Sequence, residues 1–283
     1  MNARLGCRGL LIAAVAGVMA LGPLVGCSGW PTIGKRKGGL IARMTLAERE
    51  RMVAIEGDPV TLGRFVALDV ANKSGGVFVT THERYNEAKI EARVRHRREL
   101  EKLARQEGWD EGVLRGPWFT AVNEHGPETG VLRIRPTDKT LPDGSRPLVD
   151  LYVYTPACDG VQITSKHGNV ELVGVRGSLD VEAEGRIEVR SNEPLTEEMN
   201  LRSAGEGVIV VAAPKSRGTF LITAPEGRAT FTSKYGTPER VSSERSRWMG
   251  VWNAGPNPVT LHAEHGNARF MVRENAEMYT PSF

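Results

Sequence analysis

Five carboxylates lie on short alternating segments in the second half of the chain: Glu171, Asp180, Glu182, Glu184 and Glu188. Two carboxylates held across a glycosidic bond can hydrolyse it, one protonating the leaving oxygen while the other attacks or activates water. Alternate strand residues share a face, so Glu182 and Glu184 point the same way, and stacked rungs would bring Glu171 or Glu188 beside them. The same segments carry Arg176, Arg186 and Arg190. Outward acids alternating with arginines are also what a soluble strand surface needs, and that explains these charges without catalysis. No Gly-x-Ser-x-Gly, Walker or dinucleotide motif is present. The sequence therefore predicts no catalytic residue, no cofactor and no enzyme. A carbohydrate-active enzyme on the same scaffold is the rival reading.

The histidines are the next candidates. His262 and His265 are three apart, whereas two ligands sharing a helix face need four. On a strand they point to opposite faces, so no metal site is expected. His167 and His265 each precede a glycine, Gly168 and Gly266, in two similar turns, and such turns could form an exposed patch. Trp248-Met249-Gly250-Val251-Trp252, with Trp109, Trp118 and Phe119, is the other candidate binding surface. Aromatic rings on an exposed β-face stack on sugars or on a protein partner. Alternatively, Trp248 and Trp252 cap an apolar core.

The elements that position these groups are short strands. Ser165-Lys166-His167-Gly168-Asn169-Val170-Glu171-Leu172 is one copy of a loose repeat: a polar turn, a glycine, then an alternating strand. Similar stretches follow at 183–189, 203–210 and 224–231, and glycines 168, 185, 207 and 227 recur about every 20 residues. Each copy offers a few inward aliphatics, such as Val170 and Leu172 or Ile187 and Val189, which one coil cannot bury but a stack can. The ends of a stack are open sheet edges and need covers. The helical segment near Arg98 to Glu107 and the 248–258 stretch are the candidates. Leu148 to Tyr154 reads as a strand buried on both faces.

These motifs are nameable. Leu68-Asp69-Val70-Ala71-Asn72-Lys73-Ser74-Gly75-Gly76-Val77-Phe78-Val79, Leu151 to Pro156 and the Ser165 to Leu172 turn resemble the bacterial putative-adhesin domain, a family of unknown function. The resemblance covers roughly residues 64–283. It implies an all-β fold, an irregular right-handed β-solenoid-like stack of short strands, together with export to the envelope. It supplies no catalytic residues. One or two short helices in the N-terminal half, one over Leu46 to Ile55 after a Thr45-x-x-Glu48 capping box, complete the expected fold.

The beginning of the chain predicts where it lives. Arg4 and Arg8 precede an uncharged run from Gly9 to Gly26, which ends in Leu24-Val25-Gly26-Cys27. This is the form of a lipoprotein signal over 1–26, cleaved before a lipidated Cys27. Residues 27–63 read as a tether with a short helix. Ser28 resembles the residue that permits transfer to an outer membrane, on its periplasmic or surface side. The net charge of the full chain is only +3, and the basic stretch from Arg93 to Arg105 is interleaved with acids and lacks stacking aromatics, so nucleic acid is not an expected partner. The expected partners are the membrane, through lipid on Cys27, and an envelope protein or glycan. An envelope signalling lipoprotein is a further alternative. With Cys7 in the signal and Cys27 lipidated, Cys158 has no partner for a disulfide.

Overall fold

From Asp159 onward the apolar runs are four to eight residues long and separated by Gly, Ser or Asn turns, too short for amphipathic helices and suited to strands. The computed structural model describes residues 67–86, 88–114, 116–124 and 130–280, and four short strands before them, all within the unit Pro31–Phe283. The signal, Cys27 and most of the 27–63 tether lie outside the described residues. Among the described residues no helix is long and apolar enough to cross a membrane.

The chain is mostly β, with two mixed sheets of eleven and nine strands, neither closed. From Asp159 to Ser233 it alternates between them. Asp159–Ser165 joins the larger sheet, Val170–Val173 the smaller, Arg176–Ala183 the larger again and Ile187–Ser191 the smaller. Each of these strands pairs in parallel with the next in its own sheet, Val161 opposite Leu179 and Val170 opposite Ile187. The registers line up equivalent residues in rows. Val70, Ile163, Val181, Leu201, Leu261 and Ile222 cross the larger sheet. Val79, Leu172, Val189, Val210, Phe270 and Phe231 cross the smaller. Both rows pack into one core between the sheets. Burying each Val, Leu or Ile contributes about 1.5–3 kcal/mol, so every added rung holds its neighbours.

Turns abut along one corner. A Cβ on Gly168 would lie 2.1 Å from the Gly75 carbonyl, and one on Gly227 would lie 1.7 Å from the Gly266 oxygen. Only glycine lets the backbones approach this closely.

The stacking order differs from chain order. The last two strands, Pro258–Ala263 and Asn267–Val272, lie between the pair Met199–Ser203 with Gly207–Ala212 and the pair Gly218–Thr223 with Ala229–Ser233. Repeat spacing does not encode this, because the partner of a strand is chosen by contacts across the sheet. The far end is covered by Arg247–Trp252, antiparallel to Gly218–Thr223, with Glu239–Ser243 outside it. In the N-terminal half one α-helix, Arg97–Gln106, buries Ala104, and Leu100, Trp109 and Val113 pack against the core beside it. The helix expected over 46–55 is not formed at Glu50–Val53, which is a strand antiparallel to Phe119–Val122. Sheet pairing there overrides the local capping signal. The rest of that segment lies outside the described residues.

Candidate functional site

The most informative surface is the outer face of the smaller sheet, built by period-2 alternation. In Val149–Thr155, Val149, Leu151, Val153 and Thr155 face the core, while Tyr152 and Tyr154 point out and are half-buried. The run is thus not buried on both faces, as its composition suggests; the tyrosines form the second face. In the neighbouring Val77–Thr81 the same alternation turns Phe78 outward, and the register sets it beside Tyr152. Their rings stack at 4.7 Å with an interplanar angle of 13°. Arg93, from the antiparallel Lys89–Val94, places its guanidinium 4.4 Å from the Tyr152 ring centroid and donates to Glu91 at 2.6 Å. The Glu91 hydrogen bond raises the Arg93 pKa further. Tyr85 leans on Tyr154 at 5.7 Å, with His82 edge-on to Tyr85 and the Arg84 guanidinium 5.2 Å from its ring. Burial, then the charge of Glu91, pushes the Tyr154 phenol above its usual pKa. The result is four half-exposed rings edged by planar polar groups of both signs.

The next strands on this face carry a buried ionic cluster. Glu171 lies beside Phe78 and Glu188 beside Glu171. Arg190 hydrogen-bonds Glu171, and its Nε lies 3.0 Å from Glu188 Oε1, an attraction of charge rather than an aligned hydrogen bond. Arg186 approaches Glu188 Oε2 at 3.5 Å. Burial raises the Glu188 pKa; Arg190 opposes this, Glu171 adds to it and Arg186 opposes it. Arg190 also donates to the backbone oxygens of Glu277 at 3.0 Å and Tyr279 at 3.5 Å. The C-terminal segment therefore lies across this half of the face, where Ile209, Val211, Met271 and Ala276 form a small second core with Tyr279.

Glu171 and Glu188 come together, but Glu182, Glu184 and Asp180 do not join them. Glu182 lies on the larger sheet between Thr164 and Arg202, Asp180 accepts from Asn200 at 2.9 Å, and Glu184 pairs with His167 at 2.7 Å. Consecutive strands go to opposite sheets, so Glu182 cannot neighbour Glu171 or Glu188. Trp248 and Trp252 are 5% and 3% exposed. They pack on Phe231 at 4.8 and 5.5 Å and close the end of the core, so they offer no stacking face. His167 and His265 are exposed, but three rungs separate their turns, roughly 14 Å at 4.8 Å per strand. They form no common patch. Each pairs with a glutamate of the adjoining turn, His265 with Glu226 at 2.6 Å, which raises the His265 pKa. Among the described residues no group of three metal-ligating side chains assembles. Burial pushes the Cys158 thiol up to about 12, which keeps it protonated and a poor nucleophile.

Phe78, Tyr85, Tyr152 and Tyr154 escaped the sequence reading. The signal was present: tyrosines two apart in a strand whose other parity is Val, Leu and Val.

No family model matches this sequence, and no curated protein does. A solved structure described as a putative cell adhesion protein from Clostridium sporogenes ATCC 15579 is similar at 10% identity and a TM-score of 0.45, over 79% of this chain and 99% of that one.

Proposed function

We propose that this chain is a non-enzymatic, adhesin-like binding module, held on the cell envelope by lipid on Cys27, that takes a neutral glycan on the Phe78, Tyr85, Tyr152 and Tyr154 face. We read its alternating strands as an irregular right-handed solenoid-like stack that displays this face. The observation that carries the reading is the pair of stacked rings with Arg93 and Glu91 at their margin. A sugar ring has an apolar C–H face and a hydroxyl edge, and this surface supplies half-exposed aromatic rings, with Tyr152 held between Phe78 and Arg93, for the first and paired donors and acceptors for the second. Arg93 is matched by Glu91 and Arg84 rests on the Tyr85 ring, while Lys89, opposite Tyr154, is exposed; two of these three cations are thus already engaged, which favours an uncharged ligand. Glu171 and Glu188 are both committed to Arg190, which weighs against their use as a hydrolytic pair.

Retention on immobilised neutral polysaccharides tests the glycan. Wild type is expected to bind, and Phe78→Ala with Tyr152→Ala to weaken binding by about 10- to 100-fold, from roughly 1 kcal/mol per ring. Equal retention of both, or capture of proteins alone, contradicts the reading. The anchor is tested separately by palmitate labelling: Cys27→Ala is expected to lose label and leave the membrane fraction.

A further inference from the structure

The smaller sheet ends at Ala229–Ser233, which has a neighbour on one side only, Asn267–Val272. The larger sheet runs two strands further, Arg247–Trp252 and then Glu239–Ser243. The step between them is a groove of about 1070 Å³, lined by Ala229 to Thr232, Ser243 to Arg245 and Trp248. Its aromatic lining is Phe231, stacked on Trp248 at 4.8 Å and 15°.

The backbone of this edge is turned toward the groove. Ala268 N–H donates to the Arg228 carbonyl at 3.1 Å, so that carbonyl faces the neighbouring strand. Ala229 N–H donates the other way, to the Arg245 carbonyl at 2.9 Å. Bonding direction alternates along a parallel strand, so Phe231 and Ser233 direct their N–H and C=O groups to the open side. Among the described residues no strand pairs with them there. Ala-Thr-Phe-Thr-Ser carries no charge and no proline, the usual devices that protect an edge. At the Ala229 end, Arg228 and Arg245 are exposed and make no ion pair among the described residues. Glu226 is engaged by His265, which leaves Glu244 as the acid of the rim.

We propose that this edge accepts an extended peptide of a partner protein as an added strand, with an apolar residue over Phe231 and acidic residues at the Arg228 and Arg245 end. Main-chain bonds to Phe231 and Ser233 supply affinity, and the lining and rim supply selectivity. A second copy is a poorer occupant, because antiparallel pairing about Phe231 sets Arg228 against Lys234, like charges opposite each other.

The test is fluorescence anisotropy of a labelled decapeptide of alternating Val and Thr with two Asp at one end, titrated with the full chain in detergent. Saturable binding is expected, at least tenfold weaker when Lys replaces Asp. Arg228→Glu with Arg245→Glu, both exposed, should weaken the Asp peptide at least tenfold and favour the Lys peptide. Ser233→Pro, which removes an outward N–H and the Oγ that accepts from Tyr235 N–H at 3.0 Å, should abolish binding of either peptide with only a small fall in Tm. Hydrogen exchange at Phe231 and Ser233 should slow in the complex. Equal affinity for both peptides, no binding, or unchanged exchange at these two amides overturns the proposal. So does dimerisation of the protein alone that Ser233→Pro abolishes, since the occupant is then a second copy.

Discussion

An Arg190→Met chain is expected to lose about 3–5 kcal/mol of unfolding free energy, the range for removing one partner of a buried ion pair. Glu188 is 5% exposed, and without the guanidinium its carboxylate has no strong counter-charge except Arg186 at 3.5 Å. The C-terminal segment also loses the donors that hold the Glu277 and Tyr279 oxygens. The pH dependence has a definite sign. Burial already raises the Glu188 pKa above its unfolded value, so its favourable contribution is fully present below the unfolded pKa and is lost as pH rises through the folded one. Removing Arg190 raises the folded pKa further. The deficit should therefore be larger at pH 8 than at pH 5, as read by urea denaturation. The triple variant Arg190→Met, Glu171→Gln, Glu188→Gln should recover most of the loss, because no charge is then left buried. A deficit below about 1 kcal/mol at pH 8 would mean that the cluster is no more than a surface pair.

Gly168→Ala should cost about 3 kcal/mol, at the upper end of overpacking. The added Cβ would meet the Gly75–Gly76 peptide group, within 2.4 Å of its C, O and N atoms, and a backbone held in two sheets cannot swing away as a side chain can. Gly112→Ala is the control. Its Cβ meets only the Asp110 carboxylate, no closer than 3.4 Å, and a change within about 0.5 kcal/mol is expected. Equal Tm shifts for the two variants would remove the close-packed corner from the account.

Much of the fold was legible because strand alternation and turn glycines are local signals. Leu68 and Val70, Ile90 and Ala92, and Val170 and Leu172 all face the core as their spacing indicates. The helical spacing after Arg97 marks the α-helix Arg97–Gln106. What the sequence concealed is non-local. Nothing in 258–272 says that it slots between 199–212 and 218–231, because each rung presents the same apolar rows. The candidate face was missed for a different reason. Tyr152 and Tyr154 are apolar enough to pass for core, and their partners Phe78 and Arg93 lie some 60 to 75 residues earlier, joined only by sheet register. Trp248 and Trp252 drew attention as a pair, but the open end of a core is where large rings are most needed.

The chain has five tyrosines, at 85, 152, 154, 235 and 279, so the candidate face can be watched against an internal reference. In protein labelled with 3-fluorotyrosine, a soluble oligosaccharide of the best-retained polysaccharide should shift the ¹⁹F resonances of Tyr85, Tyr152 and Tyr154 and leave those of Tyr235 and Tyr279 in place. Shifts confined to Tyr235 or Tyr279, or no shift at saturating ligand, would contradict binding at this face.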